Sequence, residues 1–249
     1  MMKLTFLGTG TSSGVPTIGC SCEVCRSQNP KDKRLRCSSL LDVDGKKILL
    51  DCGPDFRQQA LRANLTHIDA VLLTHHHMDH ILGLDDLRPF GEVNIYANEE
   101  TCTNIHRIFS YCFDNDYKGI PQLKLHQLDG RPFYIGETCV IPVPIWHYMV
   151  LAFGYRIGDL AYLTDYKSID DEQLDKLQNL KVLIIDALRW EPHFSHANVE
   201  ESLQLVDRIH PEQTYFVHMN HHIGLHNEAE QKLPSNVHLA YDGLEIEIK

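Results

Sequence analysis

The segment Thr74-His75-His76-His77-Met78-Asp79-His80 follows directly on the apolar run Ala70-Val71-Leu72-Leu73. An apolar run of that length reads as a buried strand, so the histidines stand in the turn at its end. Imidazole nitrogen and carboxylate oxygen bind zinc, iron or manganese, and a mixed set that leaves positions open is the pattern of catalytic rather than structural metal sites. His75 and His77 alternate and can face one ion, while the adjacent Asp79 and His80 can turn toward a second about 3.5–4 Å away. The same alternation turns His76 aside, and it is read as a non-ligand.

A chain built around such a turn needs strands to carry it. Apolar runs of β-branched or alternating character occur at 3–7, 39–43, 47–51, 69–73, 93–97, 123–128, 138–143, 151–157, 160–164, 181–185, 213–218, 237–240 and 244–248. Segments 55–63, 99–112, 170–178 and 198–209 read as helices. In the last, Val199, Leu203, Val206 and Ile209 recur at helical spacing, and Asn198 with Glu201 forms a capping box. Asp44-Gly45 and Gly158-Asp159 signal hairpins, so the sheets are mixed rather than wholly parallel. No linker, low-complexity stretch or internal repeat divides the 249 residues, which reads as one domain over 1–249.

A second metal pattern precedes the histidine loop. Cys20-Ser21-Cys22-Glu23-Val24-Cys25 brings three thiols into six residues. Thiolates this close pair poorly as disulfides, whereas tetrahedral zinc accepts three Cys and one His. The loop at about 19–26 therefore reads as a structural zinc site whose fourth ligand comes from afar.

The motif H-x-H-x-D-H after a hydrophobic strand resembles the signature of the metallo-β-lactamase fold. That resemblance implies a four-layer αββα sandwich with the metals at strand ends along one edge. It also implies that the remaining ligands are His147 after Ile141–Trp146, Asp165 after Leu160–Thr164 and His218 after Gln213–Val217. By resemblance His75, His77 and His147 hold the first metal, Asp79, His80 and His218 the second, and Asp165 bridges them. Zinc or manganese is expected in this dinuclear site, with iron also compatible.

Within the superfamily, the early C-x-C-x-x-C with a distal H-x-x-H resembles the PhnP-type phosphodiesterases, which act on phosphoribosyl cyclic phosphate. Gly8–Gly14, Asp51-Cys52-Gly53-Pro54-Asp55, Asp186-Ala187-Leu188-Arg189 and Ala240-Tyr241-Asp242-Gly243 extend the likeness along the chain. His221, three residues after His218, is the chosen fourth ligand of the cysteine site, with His222 and His226 as competitors. The family also has a non-ligand active-site histidine before a helix. His196 occupies that position as expected general acid or phosphate clamp, and His193 is the runner-up. Asp79 is expected to double as ligand and orienter of a hydroxide, and Asp51 to stand behind a metal-bound histidine. His67, His106, His126, His210 and His238 are read as structural.

The activity this implies is hydrolysis of a small phosphodiester, cyclic ones included, through a metal-bridging hydroxide. A PqqB-like accessory protein shares the cysteine cluster, and a thioester or lactam hydrolase or a tRNase Z-type nuclease shares the ligands; these stand as alternatives. A formal charge of −11 opposes binding of long nucleic acid, which rests on basic surface. The basic stretch Lys31–Arg36 reads as a solvated loop. Gly8–Gly14 lacks the ending of a P-loop and reads as a turn. No run spans a membrane and the N-terminus does not read as a signal peptide, so a soluble cytoplasmic protein is expected, with a homodimer compatible. Phe109, Tyr111, Phe113 and Tyr117, in the segment 99–121, are expected in core, pocket or dimer contact.

Overall fold

The computed structural model describes residues 2–113 and 119–249; Tyr117 lies outside them. The first half contributes β1 (Met2–Gly8), β2 (Ser38–Val43), β3 (Lys46–Leu50), β4 (Ala70–Leu72), β5 (Glu92–Asn98) and β6 (Gln122–Leu128). The second contributes β7 (Phe133–Ile135), β8 (Thr138–His147), β9 (Val150–Ile157), β10 (Leu160–Leu163), β11 (Val182–Asp186), β12 (Gln213–Val217), β13 (Val237–Leu239) and β14 (Glu245–Ile248). The helices are α1 (Glu23–Arg26), α2 (Phe56–Arg62), α3 (Met78–Ile81), α4 (Glu99–Ile108), α5 (Val199–Ile209) and α6 (His226–Glu230).

Two mixed sheets result, in the orders β14-β1-β2-β3-β4-β5-β6 and β13-β12-β11-β10-β9-β8-β7. Side chains alternate across each strand, and this sorts the apolar residues into three layers of core. Ile48, Leu50, Leu72, Tyr162 and Ile184 meet between the sheets. Leu49, Val71 and Leu73 face the other way, onto Phe56, Leu84 and Ile105 of the first helical layer. Leu163, Leu183 and Ile185 likewise pack on Leu205, Val206 and Ala229 beneath α5 and α6. The expected αββα sandwich is this arrangement: strands buried on both faces, hence apolar without a polar alternation.

Strand direction decides where the polar loops collect. β3, β4, β5 and β6 are mutually parallel, as are β10, β11, β12 and β13, and β8 reaches the direction of β10 through two antiparallel pairings. The carboxyl ends of β3, β4, β8, β10, β11 and β12 therefore open on one edge, where ligand sites of open α/β sheets form. The sheets are tied together at that edge: Phe153 N–H donates to the Thr74 carbonyl at 2.8 Å and Tyr155 Oη to that of Leu73 at 2.6 Å. No helix among the described residues is long and apolar enough to cross a membrane.

Some elements differ from the sequence reading. Residues 170–178 form not an α-helix but a 3₁₀ segment over Asp171–Leu177. Leu174, Leu177 and Leu180 recur every three residues and all reach one core, which a three-residue turn serves better. The helix expected over 99–112 ends at Ile108; a 3₁₀ turn then buries Cys112 and lets Tyr111 Oη reach Asp85 at 2.6 Å. β8 continues past Pro142 and Pro144 to His147. Beyond Val140 it has no partner in β7, and an edge strand tolerates proline. β7 itself, three residues long, goes unread in the sequence.

Candidate functional site

Six strand ends supply the candidate site, and several do so through an abrupt reversal of the backbone. Asp51, Asp165 and His218, each just after a strand, take φ of 60°, 55° and 58°. That left-handed region is sparsely used by residues other than glycine, though Asp and His enter it more readily than most. The reversal directs each side chain back across the strand end instead of into the flanking layer. Close backbone approach completes the floor: a Cβ at Gly53 would run into the Asp79 carbonyl, so only glycine lets the Asp51–Asp55 loop lie against α3.

His75, His77 and His147 form one group able to hold a metal ion, with ring centroids 4.5, 5.3 and 5.0 Å apart. Asp79, His80 and His218 form another, with Asp79 Oδ2 3.2 Å from His80 Nε2 and 3.4 Å from His218 Nε2. Asp165 lies between them. Its Oδ1 is 4.0 and 3.9 Å from the Nε2 atoms of His75 and His147, while its Oδ2 is 3.0 and 3.4 Å from those of His80 and His218.

Buried polar atoms normally have partners, yet the Nε2 atoms of His75 and His80, both in fully buried rings, have no aligned hydrogen bond. Convergent imidazoles and carboxylates with such orphaned nitrogens are a donor set that fits divalent cations. Burial, with His80 beside it, pushes the His75 pKa well down, so its ring is neutral, the form that binds metal. Burial works against ionisation of Asp79, but His80 and His218 hold its carboxyl well below the usual range.

The far nitrogens of these rings are fixed from behind. His80 Nδ1 lies 2.8 Å from Asp51 Oδ2, and Asp51 in turn accepts from the N–H and hydroxyl of Thr74. His147 Nδ1 donates to the Ser195 carbonyl at 2.9 Å, and Thr74 Oγ1 is 3.0 Å from His75 Nδ1. Such contacts select the tautomer that presents Nε2 forward. Asp51 thus lies behind His80, one of the histidines read as ligands. His76 sits half-buried, edge-on to His77.

His196 is brought to the same place, its ring 4.6 Å from that of His147 and 4.9 Å from that of His218. Its Nδ1 is 2.9 Å from Asp186 Oδ2 and 3.6 Å from Asp165 Oδ1. Burial pushes the Asp186 carboxyl well up despite the nearby His218, and pushes the His196 ring down. Lys167 Nζ, bonded to Glu201 at 2.7 Å, also reaches the His196 carbonyl and anchors that loop to α5, whose capping box is formed. His193 turns instead to Ser195 Oγ, 3.2 Å from its Nδ1.

Sequence reasoning quoted Asp186 only within a motif and assigned it no role. Its one signal was its position at a strand end, as for Asp165. Ser195 and Lys167 carried none.

The three thiols of the cysteine loop surround His221 Nδ1 at 3.3, 3.3 and 3.5 Å for Cys20, Cys22 and Cys25. Ligand atoms bound tetrahedrally to one zinc at about 2.0–2.3 Å lie roughly 3.5 Å apart, so this donor set fits that ion. The backbone N–H of Cys25 and the His221 ring draw the Cys22 thiol down to about 6, toward the thiolate. His222 is exposed, and His226 is committed elsewhere, with Arg34 Nη2 3.2 Å from its Nδ1.

That Arg34 corrects the reading of Lys31–Arg36 as a solvated loop. Arg34 is buried and bonds Thr9 and the Ala240 carbonyl, Asp32 is buried, and Arg36 pairs with Asp55 at 3.0 Å. The stretch locks the N-terminal loop to the sandwich.

Known proteins share this architecture and parts of this sequence. Residues 46–219 match the beta-lactamase superfamily domain. A solved diphosphatase from the PhnP family superposes with a TM-score of 0.93 at 42% identity, covering 98% of this chain and 96% of its own. An octanoyltransferase of Porphyromonas gingivalis is 43% identical over 98% of this chain but 51% of its own length. A ribonuclease Z of a Cyanothece species is 30% identical over 64% of the chain and 47% of its own. The chain thus spans about half the length of these curated relatives.

Proposed function

The chain belongs to the beta-lactamase superfamily and, within it, to the PhnP family, a metallohydrolase fold; from this we propose a dinuclear phosphodiesterase acting on a small phosphodiester. The observation that carries the reading is Asp165, whose two carboxylate oxygens face two separate His-rich groups. His75, His77 and His147 would hold one divalent ion and Asp79, His80 and His218 the other, with Asp165 shared and zinc or manganese the expected metals. When bound, such a pair supplies a water acidified to a pKa of about 7 and positive charge for the phosphate oxygens.

The protein's own groups do the rest. Asp79, on the first turn of α3, accepts a hydrogen bond from the attacking water and so sets its direction. His196, held through Nδ1 by Asp186, offers Nε2 to the leaving oxygen and supplies its proton. The diphosphatase at 42% identity puts diphosphate diesters beside simple phosphodiesters among the substrates to test. Octanoyl transfer and ribonuclease activity are named for proteins about twice as long, and a formal charge of −11 opposes RNA binding.

Protein loaded with manganese or zinc should hydrolyse bis(p-nitrophenyl) phosphate, and Asp79→Ala should lose that turnover by about 10²-fold or more. No turnover of any phosphodiester with two metals bound per chain would transfer support to a hydrolase of another bond or to an accessory protein.

The cysteine loop with His221 is proposed to hold a structural zinc, its four donors leaving no position for substrate. Cys20 and His221 are 201 residues apart, and cross-links closing long loops typically contribute about 2–5 kcal/mol. Cys22→Ser should lose one zinc equivalent in metal analysis and lower the thermal midpoint by roughly 5–15 °C, at 2–4 °C per kcal/mol. An unchanged midpoint and zinc content would remove the clip.

A further inference from the structure

We propose that a cavity between the candidate metal centre and the cysteine clip binds the second phosphate of a diphosphate diester, an assignment that rests on the phosphodiesterase reading. The cavity has a volume of about 270 Å³, and its walls include Ser12, Ser13, Arg189, His193, His196 and His222. No carboxylate lines it, although the chain carries 34 Asp and Glu against 23 Lys and Arg. In an acidic protein, a hollow beside the site walled by a guanidinium, imidazoles and hydroxyls selects for an anion.

Arg189 is the fixed charge. Its Nε donates to the Glu191 carbonyl at 3.2 Å and its Nη2 to that of Pro192 at 2.9 Å, which orients the guanidinium. Nη1 makes no hydrogen bond among the described residues, and a guanidinium edge matches phosphate oxygens in geometry as well as charge. Ser12 is pinned by its carbonyl, which accepts from Arg36 Nε at 3.1 Å, while its hydroxyl has no partner among the described residues.

His196 belongs both to this wall and to the metal centre, so a group seated here lies next to the phosphorus under attack. Beside His193, whose ring lies 4.5 Å from that of Phe194, the surface is apolar: Tyr148, Met149 and Phe194 are 59%, 77% and 69% exposed, and the Tyr148 and Phe194 rings meet edge-on at 5.6 Å. In the reaction, the oxygen of water joins the phosphorus at the metals and the P–O bond to the bridging oxygen breaks. The second phosphate leaves with that oxygen, and His196 delivers it a proton that the attacking water's proton then replaces.

The test compares kcat/KM for a dinucleoside 5′,5′-diphosphate and a 3′,5′-dinucleoside monophosphate, using metal-loaded wild type, Arg189→Gln and Ser12→Asp. Ser12→Asp puts a carboxylate into the cavity without disturbing the carbonyls that Arg189 braces. The wild type should favour the diphosphate by about tenfold or more, and each variant should cut that ratio by about tenfold. A ratio near one in the wild type, or one unchanged in both variants, overturns the assignment. If the wild type hydrolyses neither ester nor bis(p-nitrophenyl) phosphate, the phosphodiesterase reading fails separately. Calorimetric binding of an α,β-methylene dinucleotide then decides the cavity: weaker binding to Ser12→Asp supports it, and equal binding overturns it.

Discussion

Asp165→Ala should abolish phosphodiester hydrolysis, lowering kcat/KM by about 10³-fold or more, and should reduce the metal bound at the site. The residue is 1% exposed, and each of its carboxylate oxygens faces a different histidine group. Two cations held about 3.5–4 Å apart repel each other strongly in a buried site, and a shared carboxylate is the group that offsets this. Without it, Asp79 is the one remaining carboxylate among the proposed ligands. Asp165→Asn keeps the shape and removes the charge, so it should fail nearly as badly, which separates charge from packing. Kinetics at saturating manganese, with metal content measured on the same samples, decides the matter. Activity within about tenfold of wild type with two metals bound would mean that Asp165 is not shared.

The second large effect concerns His196 and depends on the leaving group. A departing alkoxide needs a proton, whereas p-nitrophenolate leaves without one. His196→Ala should therefore slow an alkyl phosphodiester by about 10²–10⁴-fold and bis(p-nitrophenyl) phosphate far less. Asp186→Asn should behave as a weaker version. Asp186 touches no substrate atom in this scheme; it holds His196 Nδ1 at 2.9 Å. Its loss should distort the pH profile for the alkyl ester while leaving metal content unchanged. Equal slowing of both esters by His196→Ala would make His196 a phosphate clamp or a ligand instead, since His147, Asp165 and His196 also lie within reach of a common ion.

Much of this site was visible in the chain because its chemistry is local. The histidine loop crowds five polar ligand-type side chains after one buried strand, and the three cysteines lie within six residues. Strand and helix periodicity likewise exposed most of the sandwich, including the capping box of α5. Asp186 was not legible. A carboxylate after an apolar strand looks the same whether it meets a metal, as proposed for Asp165, or a histidine ten residues on.

The choice among His221, His222 and His226 was beyond sequence for a similar reason. Spacing limits how far a ring can reach, but the turn after β12 decides which ring faces Cys20, Cys22 and Cys25. The basic stretch Lys31–Arg36 misled because a charge run normally remains solvated. Here Thr9, Ala240 and Asp55, far apart in sequence, provide partners that let Arg34 be buried and Arg36 be paired.

By itself, then, the sequence determined the family, the two metal-binding patterns and the alternation that builds three layers of core, since ligand chemistry and side-chain period are properties of neighbouring residues. Tertiary structure decided how six strand ends meet, how the oxygens of Asp165 divide between two histidine groups, and that the hollow beside His196 has no carboxylate. Those depend on distances between segments far apart in sequence, which only packing sets.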